Sequence, residues 1–179
     1  MINAYSYRAG LIAAAISVFY TIVSYFAGIE MFTNLWVPSV ISVGIIVYLI
    51  ISLKKIRTML GGYMSFNEGI VNFLVMSVVY VVISQFVYFL IVNVIDPEFG
   101  IAVNDVIIEK AIGMMESFGA PEDSIGEALA DMEADFEAKA TFVGILMTML
   151  KIIAFFFVVG LVTSAVLKRK NEGNIETID

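Results

Sequence analysis

Four long apolar stretches, separated by polar segments, dominate the pattern of hydrophobic positions along the chain. A helix needs about 20 apolar residues to cross a bilayer, and a helix satisfies its own backbone hydrogen bonds in lipid. Lys151 is the only charged residue inside any of the four stretches. We therefore predict an all-α membrane protein with four transmembrane helices, at Ala9–Ile29, Leu35–Leu53, Gly69–Ile95 and Thr141–Leu167.

The segment between the third and fourth spans carries apolar residues at helical spacing on both sides of a turn at Gly119-Ala120-Pro121. Proline and acidic residues favour the first turn of a helix, so Pro121 marks the start of the second helix. The pattern predicts an amphipathic helical hairpin. No helix breaker precedes the fourth span, so the second helix can continue into it. The apolar positions before the turn are Val103, Ile107, Ile108, Ile112, Met115 and Phe118.

These elements predict four regions along the chain. Residues 1–95 hold the first three spans and their short loops, and residues 96–140 form the hairpin. Residues 141–170 form the fourth transmembrane helix. Residues 171–179 are polar and are predicted to be a disordered cytoplasmic tail.

Charge gives these elements a sidedness. From Asp96 to Lys139 there are 12 acidic residues and two lysines. Basic residues next to spans mark the cytoplasmic side, which places both termini in the cytoplasm and the acidic hairpin in the periplasm. We expect a multi-pass protein of the bacterial inner membrane. The basic residues on the cytoplasmic side are Arg8, Lys54, Lys55, Arg57, Lys168, Arg169 and Lys170.

Composition narrows the chemistry. The chain has no cysteine and no histidine, which removes disulfides, thiolate metal sites and the commonest general base. The net charge of −7 and the lack of a basic face disfavour nucleic acid as a partner. We expect no cofactor and no bound metal. An enzymatic Ser84–Lys151 dyad is conceivable, but no motif supports it, so we expect a protein that is not an enzyme.

The first span carries a stripe of small residues, which we call the small-residue seam. Small residues let another helix approach closely in a membrane. The seam is consistent with packing inside this bundle or with docking of a partner subunit, and its periodicity does not separate the two. Its members are Gly10, Ala14, Ser17, Thr21, Ser24 and Gly28.

The third and fourth spans carry polar residues at one depth, which we call the polar cluster. A lysine within a span is costly. Lys151 either extends its ammonium toward the outer interface or is held by tyrosine and glutamine oxygens, where it would bind an anionic headgroup or a partner carboxylate. The cluster comprises Lys151, Tyr80, Ser84, Gln85 and Tyr88.

The second hairpin helix has an apolar stripe, which we call the partner face, opposite a ridge of acidic residues. A ridge of this kind is typical of a solvated surface. Weak calcium binding is the less favoured interpretation, because a helix has no loop to wrap the ion. The stripe is a candidate periplasmic contact for another protein. The ridge consists of Asp123, Glu127, Asp131 and Asp135, followed by Lys139. The partner face consists of Ile125, Leu129, Met132 and Phe136.

Two short patches flank the third span. Gly61-Gly62-Tyr63-Met64-Ser65-Phe66-Asn67-Glu68-Gly69 enters it, with Ser65 as the expected helix cap, and Asp96-Pro97-Glu98-Phe99 leaves it. With the acidic insert and the basic end of the last span, they resemble the bacterial membrane protein family known as domain of unknown function 4199. The likeness covers nearly the whole chain. It implies a four-span inner-membrane protein and brings no established activity or catalytic residue.

Two functional hypotheses follow. The first is a non-enzymatic accessory or scaffold subunit that binds other membrane proteins, as a homo- or hetero-oligomer in the lipid bilayer. It is motivated by the small size, the seam and the apolar-faced hairpin. The alternative is a small lipid-handling or transport protein that uses the polar cluster around Lys151 and binds an anionic lipid. Transport is the less favoured part, because no span is clearly broken at mid-membrane.

Overall fold

The structure, a computed structural model, describes residues 2–169, and the predicted tail 171–179 lies outside the described residues. The regular secondary structure of the described part is helical apart from one isolated bridge between Met64 and Arg169. A six-residue π-helical segment, Leu90–Ile95, continues the fourth helix. The α-helices are α1 Ala4–Ala27, α2 Ile29–Phe32, α3 Trp36–Met59, α4 Phe66–Phe89, α5 Pro97–Ser117, α6 Glu122–Lys139 and α7 Phe142–Leu167.

Four of these elements are long and apolar enough to cross a membrane, which confirms the prediction of an all-helical protein with four candidate spans. They are α1, α3, α4 with its π-helical extension, and α7. Helix α1 begins at Ala4 and helix α3 ends at Met59, both outside the predicted apolar stretches. Asn3 caps α1 by accepting a hydrogen bond from the Tyr5 N–H at 2.9 Å, so Arg8 lies inside the helix. Helix α3 runs through Lys54 and Lys55 because lysine is a good helix former.

Helices α6 and α7 are separate, so the second hairpin helix does not continue into the fourth span. Thr141 has an extended backbone, and its side chain accepts a hydrogen bond from the Gly144 N–H at 3.0 Å. A threonine cap of this kind starts a new helix without a proline or glycine breaker. Gly144 lies so close to the end of α6 that a Cβ there would be 1.8 Å from the Ala138 carbonyl oxygen. The chain therefore turns sharply between the two helices.

Helix α4 is the centre of the bundle and packs against α1, α3 and α7. Close approach depends on small residues, because lipid provides no hydrophobic force between helices. A Cβ on Gly69 would lie 2.7 Å from Ser164 Oγ, and Gly160 lies against the ring of Phe73. The largest fully buried apolar side chains of the core are Phe73, Leu49, Leu53, Ile56, Met64, Met76 and Val81.

The basic residues gather at one end of the bundle, which we call the basic end. Arg57 donates a hydrogen bond to the Leu167 carbonyl at 3.4 Å, which joins the ends of α3 and α7. The Lys55 ammonium lies 4.8 Å from the centre of the Tyr5 ring on α1. Helices α2, α5 and α6 lie at the opposite end, which we call the acidic end.

Candidate functional site

The small-residue seam packs inside the bundle. Gly10, Ala14 and Ser24 are buried, and the other three members are half-buried. A Cβ on Gly10 would meet the Met76 carbonyl oxygen at 2.7 Å, so the glycine allows α1 to lie directly against α4. Helix α4 therefore occupies the seam at Gly10, whereas a Cβ on Gly28 would meet nothing within 4 Å.

The polar cluster does not assemble around Lys151. The side chain of Lys151 is 74% exposed, and its ammonium lies 3.8 Å from an Asp135 carboxylate oxygen. Ser84 donates its hydroxyl hydrogen bond to the Tyr80 carbonyl at 2.7 Å, which offers no support for a Ser84–Lys151 dyad. The interpretation in which tyrosine and glutamine oxygens hold Lys151 is therefore corrected. The sequence pattern had placed no carboxylate near this lysine, because Asp135 reaches it only through the turn between α6 and α7.

The aromatic members of the polar cluster pack on other rings. Tyr80 meets Phe156 edge-on, with ring centres 5.6 Å apart, and Tyr88 stacks on Phe32 at 5.7 Å. Gln85 and Tyr88 also line a cavity. The cluster is thus divided between the bundle core and this cavity.

The partner face is turned toward the chain itself. Ile125, Leu129, Met132 and Phe136 are all half-buried, and the last two line the same cavity. The acidic ridge lies largely in solvent. Within residues 2–169, no group of three or more acidic side chains is placed to hold a metal ion.

The cavity lies at the acidic end and has a volume of about 410 Å³. This falls within the ~300–1,000 Å³ typical of small-molecule sites. Its walls come from α4, the π-helical segment, α5, α6 and α7, so it extends from the spans into the acidic segment. Its apolar lining includes Phe89, Val92, Val103, Ile107, Met132, Phe136, Ile145 and Ile152.

Polar side chains interrupt this apolar lining. In the part of the chain that the structure describes, the side chains of Gln85, Tyr88, Asn104 and Thr148 line the cavity without a hydrogen-bond partner. Amide and hydroxyl groups that face an apolar space without partners are available to a ligand. The cavity therefore offers both apolar contact and free hydrogen-bonding capacity.

An ion-pair cluster lies at the rim of the cavity. Asp135 pairs with Lys139 on its own helix and lies near Lys151 on α7. The hydrogen bond from Lys139 lowers the pKa of Asp135 below its ordinary value, and the charges of Lys139 and Lys151 add to this effect. Two ammonium groups share this one carboxylate, on a helix whose other charged side chains are all acidic.

Backbone geometry opens the space for the cavity. The π-helical segment carries Val92 and Asn93, which line it, and π-helical turns occur frequently at functional sites. A Cβ on Gly100 would lie 2.1 Å from the Val92 carbonyl oxygen, so α5 crosses directly over this segment. Hydropathy predicts neither the π-helical segment nor the crossing of α5 over it. The available signal in the sequence was Asn93 and Asn104, which are polar residues on otherwise apolar helix faces.

The patch at residues 96–99 fixes the start of α5 over the bundle. Asp96 caps this helix by accepting from the Phe99 N–H at 3.0 Å, and its second oxygen accepts from the Tyr25 hydroxyl, also at 3.0 Å. The Phe99 ring contacts the rings of Tyr25 and Phe32 edge-on, at 5.0 and 5.1 Å. The patch therefore positions one wall of the cavity.

The patch at residues 61–69 builds the turn into α4. Gly61 and Gly62 have positive φ angles of 81° and 89°, which glycine adopts without strain. Ser65 caps α4, and Glu68 completes a capping box by accepting from the Ser65 N–H at 3.0 Å. The expected capping role of Ser65 is confirmed.

Asn72, which is completely buried, is not among the site residues predicted from the sequence. Its side-chain oxygen accepts hydrogen bonds from the Asn3 N–H at 2.7 Å and from the Ser6 hydroxyl at 2.8 Å. Its amide donates to the Glu68 carbonyl at 2.8 Å. An amide within a span is itself a signal of an internal polar contact, and it could have marked this position.

Comparison with known families gives one result. The family described as "Protein of unknown function (DUF4199)" matches residues 8–169, and the chain belongs to this family. The class of protein that fold and family define is thus a helical membrane protein with four candidate spans and an unassigned activity. Searches of curated proteins and of solved structures returned no match.

Proposed function

We propose that this protein binds an anionic, single-chain amphipathic molecule in the cavity at the acidic end. The observation that carries the proposal is the cavity itself, which joins an apolar lining within the bundle to a charged rim on α6. A lipid-like molecule has the matching division into an apolar chain and a polar head.

The rim favours an anionic head. Lys139 and Lys151 face a single carboxylate, that of Asp135. A carboxylate or phosphate of the ligand would accept hydrogen bonds from these two ammonium groups. Ammonium groups with half or more of the side chain exposed are screened by water, so each contact would add a modest part of the affinity.

The apolar lining provides the binding surface for the apolar chain of the ligand. Phe89, Val92 and Ile145 come from spans and offer the kind of surface that favours an acyl chain. The free groups of Gln85 and Thr148 lie within the same lining and offer hydrogen bonds to oxygen atoms near the head.

The accessory-subunit role stays a prediction with less support. The two surfaces that motivated it, the small-residue seam and the partner face, are covered at least in part by the chain itself. The exposed remainder of the four spans is apolar, which lipid accounts for. The cavity therefore supports ligand binding more strongly than these two surfaces support an accessory-subunit role.

The test compares oleate with monoolein, which has the same chain and no charge, by isothermal titration of the full-length protein in nanodiscs. A Lys139→Gln/Lys151→Gln variant should bind oleate roughly tenfold more weakly, which corresponds to about 1.4 kcal/mol. Monoolein binding should change little. The matched control is Lys54→Gln/Lys168→Gln, which removes two exposed charges at the basic end.

The proposal is wrong if the parent protein does not bind oleate. It is also wrong if the rim variant and the basic-end variant bind oleate equally well.

We also propose that the basic end faces the cytoplasm of a bacterial cell and the acidic end the periplasm. The support is the excess of basic residues at one end of the bundle. Because the chain has no cysteine, single cysteines at Ser124 and Thr58 report sidedness without background. A membrane-impermeant maleimide added outside should label only the Ser124→Cys variant, and labelling of Thr58→Cys instead would reverse the orientation.

A further inference from the structure

Helix α5 has an acidic face and, on its opposite side, an apolar face. Successive residues of an α-helix are about 100° apart, which places its four acidic residues within a strip of about 40°. All four are exposed. A second strip of similar width, on the opposite side, is apolar and ends at the residue that follows the helix. The acidic strip is Glu98, Asp105, Glu109 and Glu116, and the apolar strip is Ile107, Met114 and Phe118.

The apolar side of α5 is covered only in its first half. Gly100 and Val103 lie on this side and are buried at the π-helical segment. Met114 and Phe118 continue the same side and are 48% and 84% exposed. The second half of the helix therefore extends past the protein surface that covers the first half.

The exposed half of α5 lies beside the start of α3. Lys110 donates hydrogen bonds to the Thr33 carbonyl at 3.1 Å and to the Thr33 hydroxyl at 2.8 Å. Leu35 and the three residues of the apolar strip line a common groove. The apolar strip is thus held next to the point where α3 begins.

Helix α3 carries its own exposed apolar strip, which runs from its first residue toward the basic end. These side chains are between 49% and 81% exposed, as expected for a surface that faces lipid. The groove that the α5 strip lines reaches Leu35, the residue directly before the α3 strip. The α3 strip consists of Trp36, Val40, Val43, Val47 and Ile51.

We propose that the second half of α5 lies in the boundary between lipid headgroups and acyl chains at the acidic end of the bundle. Its apolar strip faces the acyl chains that cover α3, and its acidic strip faces water. An amphipathic helix with a charged face opposite an apolar one has the pattern of an interfacial helix. Trp36, an aromatic residue at the same level, suits the membrane interface. The occupant of the groove is lipid, and this inference does not depend on a ligand in the cavity.

The test uses nitroxide labels on single cysteines in the full-length protein, reconstituted in phosphatidylcholine vesicles. The chain has no native cysteine, and every labelled position is exposed, so no core contact is removed. Met114→Cys and Phe118→Cys report the apolar strip, whereas Glu109→Cys and Glu116→Cys are the matched controls on the acidic strip. Val40→Cys gives the reference for a lipid-facing position.

Collision with oxygen, which dissolves in lipid, is compared with collision with a water-soluble nickel chelate. The oxygen-to-nickel ratio at positions 114 and 118 should be several-fold above that at 109 and 116, and should approach the Val40→Cys value. Equal ratios on the two strips would overturn the proposal by placing the helix in water. Low collision with both reagents at 118, or broadening from label–label contact, would overturn it by placing a protein partner or a second copy on the strip.

Discussion

Asn72 shows how one polar side chain orders an end of the bundle. It lies in α4, is fully buried, and links this helix to the start of α1 through Asn3 and Ser6. A buried polar group without its partner costs more than the hydrogen bond itself contributes. The contact therefore fixes which residues of α1 and α4 face each other.

Replacing Asn72 with alanine should lower the free energy of unfolding by about 1–3 kcal/mol, because the Asn3 N–H and the Ser6 hydroxyl would lose their acceptor. Thermal unfolding in detergent measures the change. Asn67→Ala removes an exposed amide from the same helix and is the matched control. Equal unfolding midpoints for the two variants would contradict this role.

The ion pair of Asp135 predicts how the stability of the protein depends on pH. Its pKa in the folded protein is lowered from 3.8, chiefly by the hydrogen bond from Lys139. A lowered native pKa stabilises the fold above the ordinary pKa, and this stabilisation is lost as pH falls through the native pKa. The parent protein should therefore be more stable than Asp135→Asn at neutral pH, with the difference vanishing below 3.8.

Thermal unfolding midpoints measured across this pH range test the prediction. The matched control is Asp131→Asn, which removes the same charge from an exposed carboxylate one turn earlier that has no ion pair to Lys139 or Lys151. If both substitutions change the unfolding midpoint by the same amount at every pH, the ion pair of Asp135 is not the source of the pH dependence.

At the element scale, hydropathy identified the four apolar helices, since each exceeds the length that lipid requires. It did not identify where the helices end, because capping by Asn3 and Thr141 depends on local hydrogen bonds rather than on apolar content. Helical periodicity identified α5 and α6 as amphipathic. It could not reveal that the apolar stripe of α6 faces a cavity, because this depends on the turn before α7.

The contact between α4 and α7 should depend on the match between Gly69 and Ser164. A Cβ on Gly69 would lie 2.8 Å from the Ser164 Cβ, so Gly69→Ala should destabilise the protein by about 1–3 kcal/mol. Ser164→Gly opens space at the same point. The double variant should therefore be less destabilised than the sum of the single variants, measured as free energies of unfolding. Additive effects would show that the two residues are not in contact.

At the scale of the whole molecule, the candidate site is assembled from residues that lie far apart in the sequence. The sequence identifies Gln85 and Tyr88 as polar residues within a span, and Met132 and Phe136 as part of an apolar stripe. The structure brings these two sets together in one cavity. Their meeting could not be predicted, because it requires α5 to cross the end of α4 and α6 to turn back at Thr141. Lys151, expected inside the polar cluster, lies outside the lining and contacts Asp135 at the rim.

The fold therefore combines a packed bundle at the basic end with an open, partly polar space at the acidic end. Fully buried residues such as Phe73, Leu49 and Leu53 fill the bundle. The cavity lies where the four-helix packing gives way to α5 and α6. This division supports the proposal that the acidic end binds a ligand while the basic end has a structural role.

Native mass spectrometry of the protein with oleate shows directly whether the cavity binds a ligand. Thr148 lines the cavity, whereas its neighbour Met147 is 56% exposed on the outer face of α7. The parent and Met147→Trp should each carry one bound oleate, and Thr148→Trp should carry less, because the indole occupies space in the cavity that the acyl chain needs. Retention of oleate by Thr148→Trp at the level of the parent would contradict the proposal that the cavity is the binding site.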